Sequence, residues 1–407
     1  MTRPNALVLD GGQIKARLEA ERMQSGVPVH VDWCRFTCTL KNAPAPSVDD
    51  LFPAKSWSML DMDYDNIKDR QRKLNQILQT LDDPDFSASA QAKQLATDVC
   101  TILGPDFFIE PELKKGHDFY RFRWSIVRGG AEVGWVGFLS SGDSPRQQAQ
   151  AKTIHCNLYG AACTFAQLGW RESLADYMDQ VGAKVTRVDL ALDFFNGITG
   201  GLDRIRSDWH SDLMNVYGKR PKANTVGPWV DGGRGRSFYF GSKEAGKQTN
   251  VYEKGVQLFG EKDATNWERV ELRYGNKLRE LSSDMLRRPA DFFAGASDWH
   301  LSILQEHGLT EVSPEPIPTK SRAAEEIVSA EVVKVYRWLK ETAGPAIGFA
   351  FKHLKETQLE EIFFNQKLPG RLQRFTSLDL ADGVQKAFNH FTAPRHRAPG
   401  PVAALAH

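Results

Sequence analysis

The chain has 407 residues, of which 41% are hydrophobic and 25% charged, values typical of a soluble globular protein with two or three domains. Its net charge of +1 argues against nucleic-acid binding through an overall basic surface, so any basic surface must be local. Ten Lys and Arg against five Asp and Glu lie between Arg204 and Lys254, a local excess of +5.

The location of the protein is predicted from what its sequence lacks. No apolar run reaches the roughly 18 residues that span a membrane, and the N-terminus lacks the apolar core of a signal peptide. Five cysteines are an odd number and do not indicate a disulfide framework, and Cys34 and Cys38 are expected to be buried thiols rather than zinc ligands. A reducing, cytoplasmic location is the expectation.

The hydrophobic patterns predict a mixture of strands and helices. In chain order they are a leader 1–28 with a helix at Ile14–Met23, a strand at 29–40, a Pro-rich loop 42–56, helices near 62–81 and 88–103, a hairpin at 117–142, a strand at 152–160, a helix at 161–182, a strand at 184–194, a helix near 201–217, a loop 218–236, and strands near 236–240, 248–254 and 267–275.

This order predicts an α+β fold, with an antiparallel or mixed sheet, flanking helices and a helical C-terminal region. The predicted divisions are a leader 1–28, a catalytic domain 29–312, a Pro-rich linker 313–321, a helical region 322–393 and a disordered tail 394–407.

Charged and polar residues alternate with apolar ones in three of the strands, so each strand has one polar face. These faces carry Arg187, Asp189, Ala191 and Asp193 on the first strand, Asn250, Tyr252 and Lys254 on the second, and Trp267, Arg269, Glu271 and Arg273 on the third. Such residues make a poor hydrophobic core and a good site for a metal and a nucleophile.

The three carboxylates could hold a divalent cation. Asp189 and Asp193 lie about 13 Å apart along a straight strand, so they share an ion only if the strand bends or if one binds through water. Glu271 on a neighbouring strand could complete an oxygen-rich site for Mg²⁺ or Mn²⁺. The alternative is a ladder of salt bridges to Arg187, Arg269 and Arg273.

Tyr252 is the candidate nucleophile. A phenol has a pKa near ~10 and needs nearby cations or a metal to react, which Lys254, Lys243 and Lys247 could supply. Tyrosine is also a favoured strand residue that commonly only packs its ring, and Tyr239 is a competing candidate.

The segment GSKEAGKQ at 241–248 could hold a phosphate through backbone amides and an ammonium group. It does not match a nucleotide-hydrolysing P-loop, because Gln248 follows Lys247 and the context is a hairpin. An ordinary hairpin turn is the simpler interpretation.

Five segments in order resemble the replication initiation factors of filamentous phages and rolling-circle plasmids. They are VDWCRFTCTL, NLYGAACTF, VTRVDLALDFFNG, FYFGSKEAGKQTNVYEKGVQLFG and WERVELRYGNK, and together they cover about residues 29–280. Two departures are a basic residue replaced by Asn250 two positions before the tyrosine, and an arginine replaced by Lys243, which keeps the charge and loses bidentate geometry.

The resemblance implies an enzyme that nicks one strand of a supercoiled origin and leaves a 5′-phosphotyrosine and a free 3′-OH. It implies Tyr252 as nucleophile assisted by Lys254. It also implies a Mg²⁺ or Mn²⁺ site at Asp189, Asp193 and Glu271, and DNA or phosphate contacts at Ser242, Lys243, Lys247, Arg187, Arg269 and Arg273.

The implied partner is origin DNA, both supercoiled duplex and single strand. A host helicase, a host polymerase and a second copy of the chain are open as further partners. Two other functions also stay open: a non-enzymatic DNA-binding regulator, and a metal-dependent nuclease in which water attacks and Tyr252 merely packs.

Overall fold

A computed structural model describes residues 11–45, 84–142, 144–260, 265–309, 311–319 and 324–363, with separate positions between 368 and 385. The helix expected near 62–81 and the tail expected at 394–407 lie outside the described residues. The chain divides into two compact units, Met1–Lys320 and Ser321–His407.

The first unit begins with helix α1 and strand β1 and continues through ten further strands and nine further helices among its described residues. The strands are β1 (Val29–Thr39), β2 (Phe108–Ile109), β3 (Lys114–Lys115), β4 (Tyr120–Arg128), β5 (Ala131–Ser140), β6 (Thr153–Leu158), β7 (Lys184–Phe194), β8 (Ala223–Val226), β9 (Ser237–Ser242), β10 (Lys247–Glu253) and β11 (Glu268–Gly275). The helices are α1 (Gly11–Ser25), α2 (Pro84–Leu103), α3 (Pro145–Ala151), α4 (Gly160–Phe165), α5 (Trp170–Gln180), α6 (Gly201–His210), α7 (Lys254–Phe259), α8 (Asp284–Arg287), α9 (Pro289–Ala294) and α10 (Asp298–Glu306).

All eleven strands form one antiparallel sheet, in the order β2-β4-β5-β6-β1-β7-β11-β10-β9-β8, with β3 paired to β4. The α+β class with flanking helices is confirmed. Strands β1, β7 and β11 are interior strands of this sheet, so their backbone hydrogen bonds are satisfied on both sides.

One face of the sheet carries the hydrophobic core. Val188, Leu190 and Leu192 of β7 are wholly buried, and the five free cysteines, which include Cys34 and Cys38 on β1, are also buried. The expectation of buried thiols is therefore confirmed. Helix α1 belongs to this unit, because its Ile14 and Leu18 lie in the same core.

A bulge in strand β1 changes which of its residues project to the polar face of the sheet. Its register with β7 shifts between Val31 and Trp33, with His30 opposite Ala191 before the shift and Trp33 opposite Asp189 after it. An extra residue in one strand inverts the in-and-out alternation beyond it. Even-numbered residues of β1 therefore face the polar side before the bulge and odd-numbered residues face it afterwards.

Some predicted elements differ from the structure. The single helix expected at 161–182 is two helices, because Gly169 adopts a left-handed φ of 82° between them. The helix expected to reach residue 217 ends at His210, and the loop expected at 218–236 contains β8. Lys254, expected on a strand, begins helix α7.

Most of the described residues of the second unit are helical. It contains α11 (Ala324–Trp338), a π-helical turn (Leu339–Ala343), α12 (Gly344–His353) and α13 (Glu356–Phe363). Val332 and Leu372 are the buried residues of a small apolar cluster of its own. No helix among the described residues of the whole chain is long and apolar enough to cross a membrane.

Candidate active site

The three strands whose polar faces the sequence predicted are neighbours in the sheet. Strand β11 lies between β7 and β10, with Arg273 opposite Asp189, Arg269 opposite Asp193, and Tyr252 opposite Arg269. Residues directly opposite each other on adjacent strands project to the same face. The alternation read from the sequence therefore brings the carboxylates, the tyrosine and the arginines together on one side of the sheet.

Tyr252 and Glu271 are joined by a hydrogen bond. The Tyr252 hydroxyl donates to Oε2 of Glu271 at 3.1 Å, from β10 to β11. Burial raises the pKa of Tyr252 well above its usual value. Burial also raises the pKa of Glu271 to about 7, and the charges of Asp32 and Asp189 add to that rise. A carboxylate with a pKa near neutrality is therefore in contact with the proton of the phenol.

Lys254 lies beside the same phenol, at the first turn of α7. Its Nζ is 5.6 Å from the centroid of the Tyr252 ring and donates a hydrogen bond to Oε1 of Gln257 at 2.9 Å. Burial lowers the pKa of Lys254 to about 8, and the positive charge of Arg269 adds to the decrease. Its proton is held less tightly than that of an exposed lysine.

Arg269 is the centre of a buried ion-pair network. Its guanidinium contacts Asp193 through Nε at 2.7 Å and a terminal nitrogen at 2.9 Å, and contacts Asp32 at 2.6 Å. Trp267 donates its indole N–H to Asp193 at 2.6 Å. Arg269 and Asp193 are 1% and 0% exposed. Burial alone would raise the pKa of Asp193, but Arg269, His30 and Arg22 together hold that pKa below its usual value. Asp193 and Arg269 therefore form a buried ion pair, and neither side chain is accessible to solvent.

Asp189 is also held by two arginines. Arg187 bonds it from the same strand, with Nε 2.8 Å from Oδ1, and Arg273 bonds it from β11, with a terminal nitrogen 3.1 Å from Oδ2. Arg273 also reaches Oε1 of Glu271 at 3.4 Å. The guanidinium of Arg187 lies 4.5 Å from the ring centroid of Trp33. Arg273 thus connects the Asp189 pair to the Tyr252–Glu271 pair.

The carboxylates do not fit a shared divalent cation in this arrangement. Asp189 and Asp193 point their oxygens at guanidinium groups, which occupy the lone pairs that a metal would need. No group of three His, Cys, Asp or Glu among the described residues is placed to hold a metal. The salt-bridge ladder, the alternative interpretation of the sequence, is the arrangement observed around these two aspartates.

Two residues of this site were missed in the sequence, and both lie on β1. His30 is 3% exposed, with Nε2 3.6 Å from Asp193 and 3.8 Å from Asp32. Asp32 bonds Arg269 as described above. The alternation of Val29, His30, Val31 and Asp32 is a signal that could have placed both on the polar face.

The predicted phosphate contacts of the 241–248 loop have different surroundings. The segment is a hairpin turn between β9 and β10, as the simpler interpretation held. Ser242 uses its hydroxyl inside the turn, bonding Glu244 at 2.8 Å, and Lys247 donates to the carbonyl of Ala296 at 2.6 Å. Burial lowers the pKa of Lys247 to about 8. Lys243, in contrast, is exposed.

Part of the chain matches the model of a known protein family. Residues 183–362 match the family model described as replication initiation factor. The match includes β7, β10 and β11 with every residue of the predicted site, and it confirms the resemblance inferred from the sequence. Residues 183–362 are therefore similar to replication initiation factors.

A solved structure is also similar, that of a rolling circle replication initiator protein from Geobacillus stearothermophilus. It is 16% identical, with a TM-score of 0.42, and the match covers 72% of this chain and 99% of that chain. No curated protein matches.

Proposed function

We propose that the protein initiates rolling-circle replication by cutting one strand of origin DNA, with Tyr252 as the nucleophile. The observation that carries this proposal is the hydrogen bond from the Tyr252 hydroxyl to Glu271, a carboxylate whose pKa is raised to about 7. A general base works best when its pKa lies near the operating pH and it already contacts the proton that it removes.

The reaction is a transesterification at phosphorus. The Tyr252 oxygen forms a bond to the scissile phosphorus while the bond from phosphorus to the 3′-oxygen breaks. The phenol proton passes to Glu271, and Lys254 gives a proton to the leaving 3′-oxygen. The products are a 5′-phosphotyrosine and a free 3′-OH, so no bond energy is lost to water.

The cations of the site have separate roles in this proposal. Lys254 and Lys243 balance the charge of the scissile phosphate and its neighbours. Arg273 bonds both Asp189 and Glu271, so it orients the base. Arg269 is a positioning residue, because it is buried and pairs with Asp193 and Asp32.

The divalent cation implied by the resemblance stays a prediction. Rolling-circle initiators generally use one, but Asp189 and Asp193 are committed to arginines here, so no step of the proposed chemistry passes through a metal. Mg²⁺ or Mn²⁺ is therefore a variable in the experiment rather than part of the mechanism.

The test is a search for a covalent protein–DNA adduct. The full chain is incubated with supercoiled plasmids that carry fragments of the DNA flanking its gene, with and without Mn²⁺, and analysed on a denaturing gel. Peptide mapping should locate the DNA on Tyr252. Tyr252→Phe should abolish the adduct and keep DNA binding, whereas the matched control Tyr239→Phe, on the neighbouring strand and the same face, should retain it.

Each other result supports a different function. Nicked DNA without an adduct indicates that water is the nucleophile. Sequence-specific binding with neither nick nor adduct indicates a regulator. An undiminished adduct in the Tyr252→Phe protein contradicts the assignment of the nucleophile.

A further inference from the structure

A basic groove lies beside the Tyr252–Glu271 pair on the polar face of the sheet. Its volume is about 770 Å³. Its charged lining consists of Arg35, Arg187, Lys243, Lys247, Arg273 and Lys277, with Asp118 as the one carboxylate in that lining. Arg273 connects the groove to the proposed active site, since its guanidinium lies 3.4 Å from Oε1 of Glu271.

The charge of the groove is only partly neutralised by the protein. Arg187 pairs with Asp189, and Arg273 contacts both Asp189 and Glu271, so the excess positive charge of the groove comes mainly from its lysines and Arg35. Arg35 pairs with Asp118 at 2.9 Å, but the Asp118 side chain is 51% exposed. Lys243 and Lys277 are exposed. Positive charges gathered in a concave surface attract a polyanion more strongly than the same charges dispersed.

An exposed aromatic ring on a strained turn forms part of the same groove. Asp118 and Phe119 both have positive φ angles, 51° and 71°, which side chains of this kind rarely adopt. Hydrogen bonds hold the turn: Ser141 donates its N–H to the Phe119 carbonyl at 2.8 Å, and Gln150 donates to the Asp118 carbonyl at 2.8 Å.

The strained turn does not serve core packing, because Phe119 is 65% exposed. Backbone strain that the surrounding structure enforces is often associated with a binding role. Here the strain directs an apolar ring into solvent within a cation-lined groove.

We propose that this groove holds a single-stranded segment of DNA next to the cleavage site, with its phosphates on the lysines and arginines and one base stacked on Phe119. The inference rests on the proposed function, since it names the form of DNA that the active site receives. Aromatic rings stack on the faces of unpaired bases, and those faces are covered by neighbouring bases in a duplex. The groove therefore distinguishes a melted origin from an intact one.

Binding of a labelled oligo(dT) of about 12 nucleotides, followed by fluorescence anisotropy, tests the stacking part of the proposal. The full chain carrying Tyr252→Phe is used, so that binding is measured without cleavage. Phe119→Ala should weaken binding by at least about fivefold, because stacking on an aromatic ring contributes ~1–3 kcal/mol per base. Phe119→Trp should retain it, and Phe108→Ala, a 53% exposed phenylalanine outside the groove, should leave it unchanged.

Salt dependence tests the phosphate part. The double variant Lys243→Gln/Lys277→Gln should lower the slope of log K against log salt by about 1.4, since each phosphate contact on a single strand contributes about 0.7. Lys184→Gln/Lys219→Gln removes the same charge from exposed positions outside the groove and should leave the slope unchanged. Because all four lysines are exposed, these variants are expected to fold.

The result for a duplex of the same length separates the two DNA forms. Phe119→Ala should not alter duplex binding. The proposal is overturned if Phe119→Ala binds oligo(dT) as tightly as the parent, if it weakens duplex and single strand equally, or if the parent does not bind oligo(dT). Each of these outcomes leaves the adduct experiment on Tyr252 untouched, so failure of the groove and failure of the proposed function are distinguishable.

Discussion

The hydroxyl of Tyr252 donates a hydrogen bond to the carboxylate of Glu271 across two adjacent strands, at 3.1 Å. The contact pairs a buried phenol with a buried carboxylate whose pKa has risen to about 7, so the proton acceptor and the group that gives up the proton already meet in the protein without DNA.

Glu271→Gln is expected to slow adduct formation by about 10²- to 10⁴-fold, the usual contribution of general base catalysis. The substitution keeps the shape and the hydrogen bond and removes the basicity, so DNA affinity should change little. The rate of adduct formation and the dissociation constant for supercoiled DNA are the two measurements. A proportional loss of both would indicate that Glu271 shapes the site rather than accepting the proton.

The rate of adduct formation at low DNA concentration should rise and then fall with pH. Glu271 must be deprotonated to accept the proton, which gives a rising limb near pH 7, and Lys254 must be protonated to donate one, which gives a falling limb near pH 8. Glu271→Gln should remove the rising limb and Lys254→Gln the falling limb. A profile that is flat from pH 6 to 9 in the parent protein would contradict both roles.

Arg269→Met should reduce the free energy of unfolding by about 3–5 kcal/mol, because it leaves Asp193 and Asp32 as buried charges without their partner. Urea denaturation measures this, and Arg206→Met, at a 45% exposed position, is the control with an expected effect below ~1 kcal/mol. The loss should also depend on pH. Because Arg269 lowers the pKa of Asp193, the stabilisation is complete above the unfolded-chain value of ~3.9 and is lost as the pH falls below it. A loss as small as that of the control would show that the buried network contributes little.

Asp189→Asn and Asp193→Asn should lower the free energy of unfolding by the same amount in EDTA and in Mn²⁺, since both aspartates pair with arginines. Thermal unfolding with and without the ion checks this. If Mn²⁺ stabilises the parent but neither variant, the aspartates bind the ion and the metal site inferred from the resemblance is correct.

The sequence predicted the polar face of the site well, because the alternation of β7, β10 and β11 is regular and the structure pairs these strands side by side. It could not predict how the charges would pair. Asp189, Asp193 and Glu271 look equivalent in a strand pattern, yet the two aspartates pair with arginines, whereas Glu271 accepts a hydrogen bond from a phenol and contacts Arg273 as well. Those differences depend on which residue lies opposite, and register between distant strands is not encoded locally.

The contributions of β1 escaped prediction for a different reason. The alternation of His30 and Asp32 is visible in the sequence, but the bulge between Val31 and Trp33 reverses it, so a period-2 pattern over the whole strand does not show which half faces the site. Lys254 was placed correctly beside Tyr252 but for the wrong reason, since it reaches that position from the first turn of α7. The hairpin at 241–248 was predicted, whereas the buried environment of Lys247 depends on a contact with Ala296, far along the chain.

The bulge of β1 also determines which sequence changes this strand can accept. Even-numbered residues face the polar side in the first half of the strand, and odd-numbered residues face it in the second half. Asp32 accepts a hydrogen bond from Arg269 before the junction, and the Trp33 ring packs against the Arg187 guanidinium after it. Deleting one residue at the junction would make the side chains of one half of β1 project to the opposite face of the sheet. Arg35 would then face the hydrophobic core, and Cys34 and Phe36 would face the polar side. The strand therefore tolerates substitution more readily than any change of length, and its length should be the more constant property among relatives.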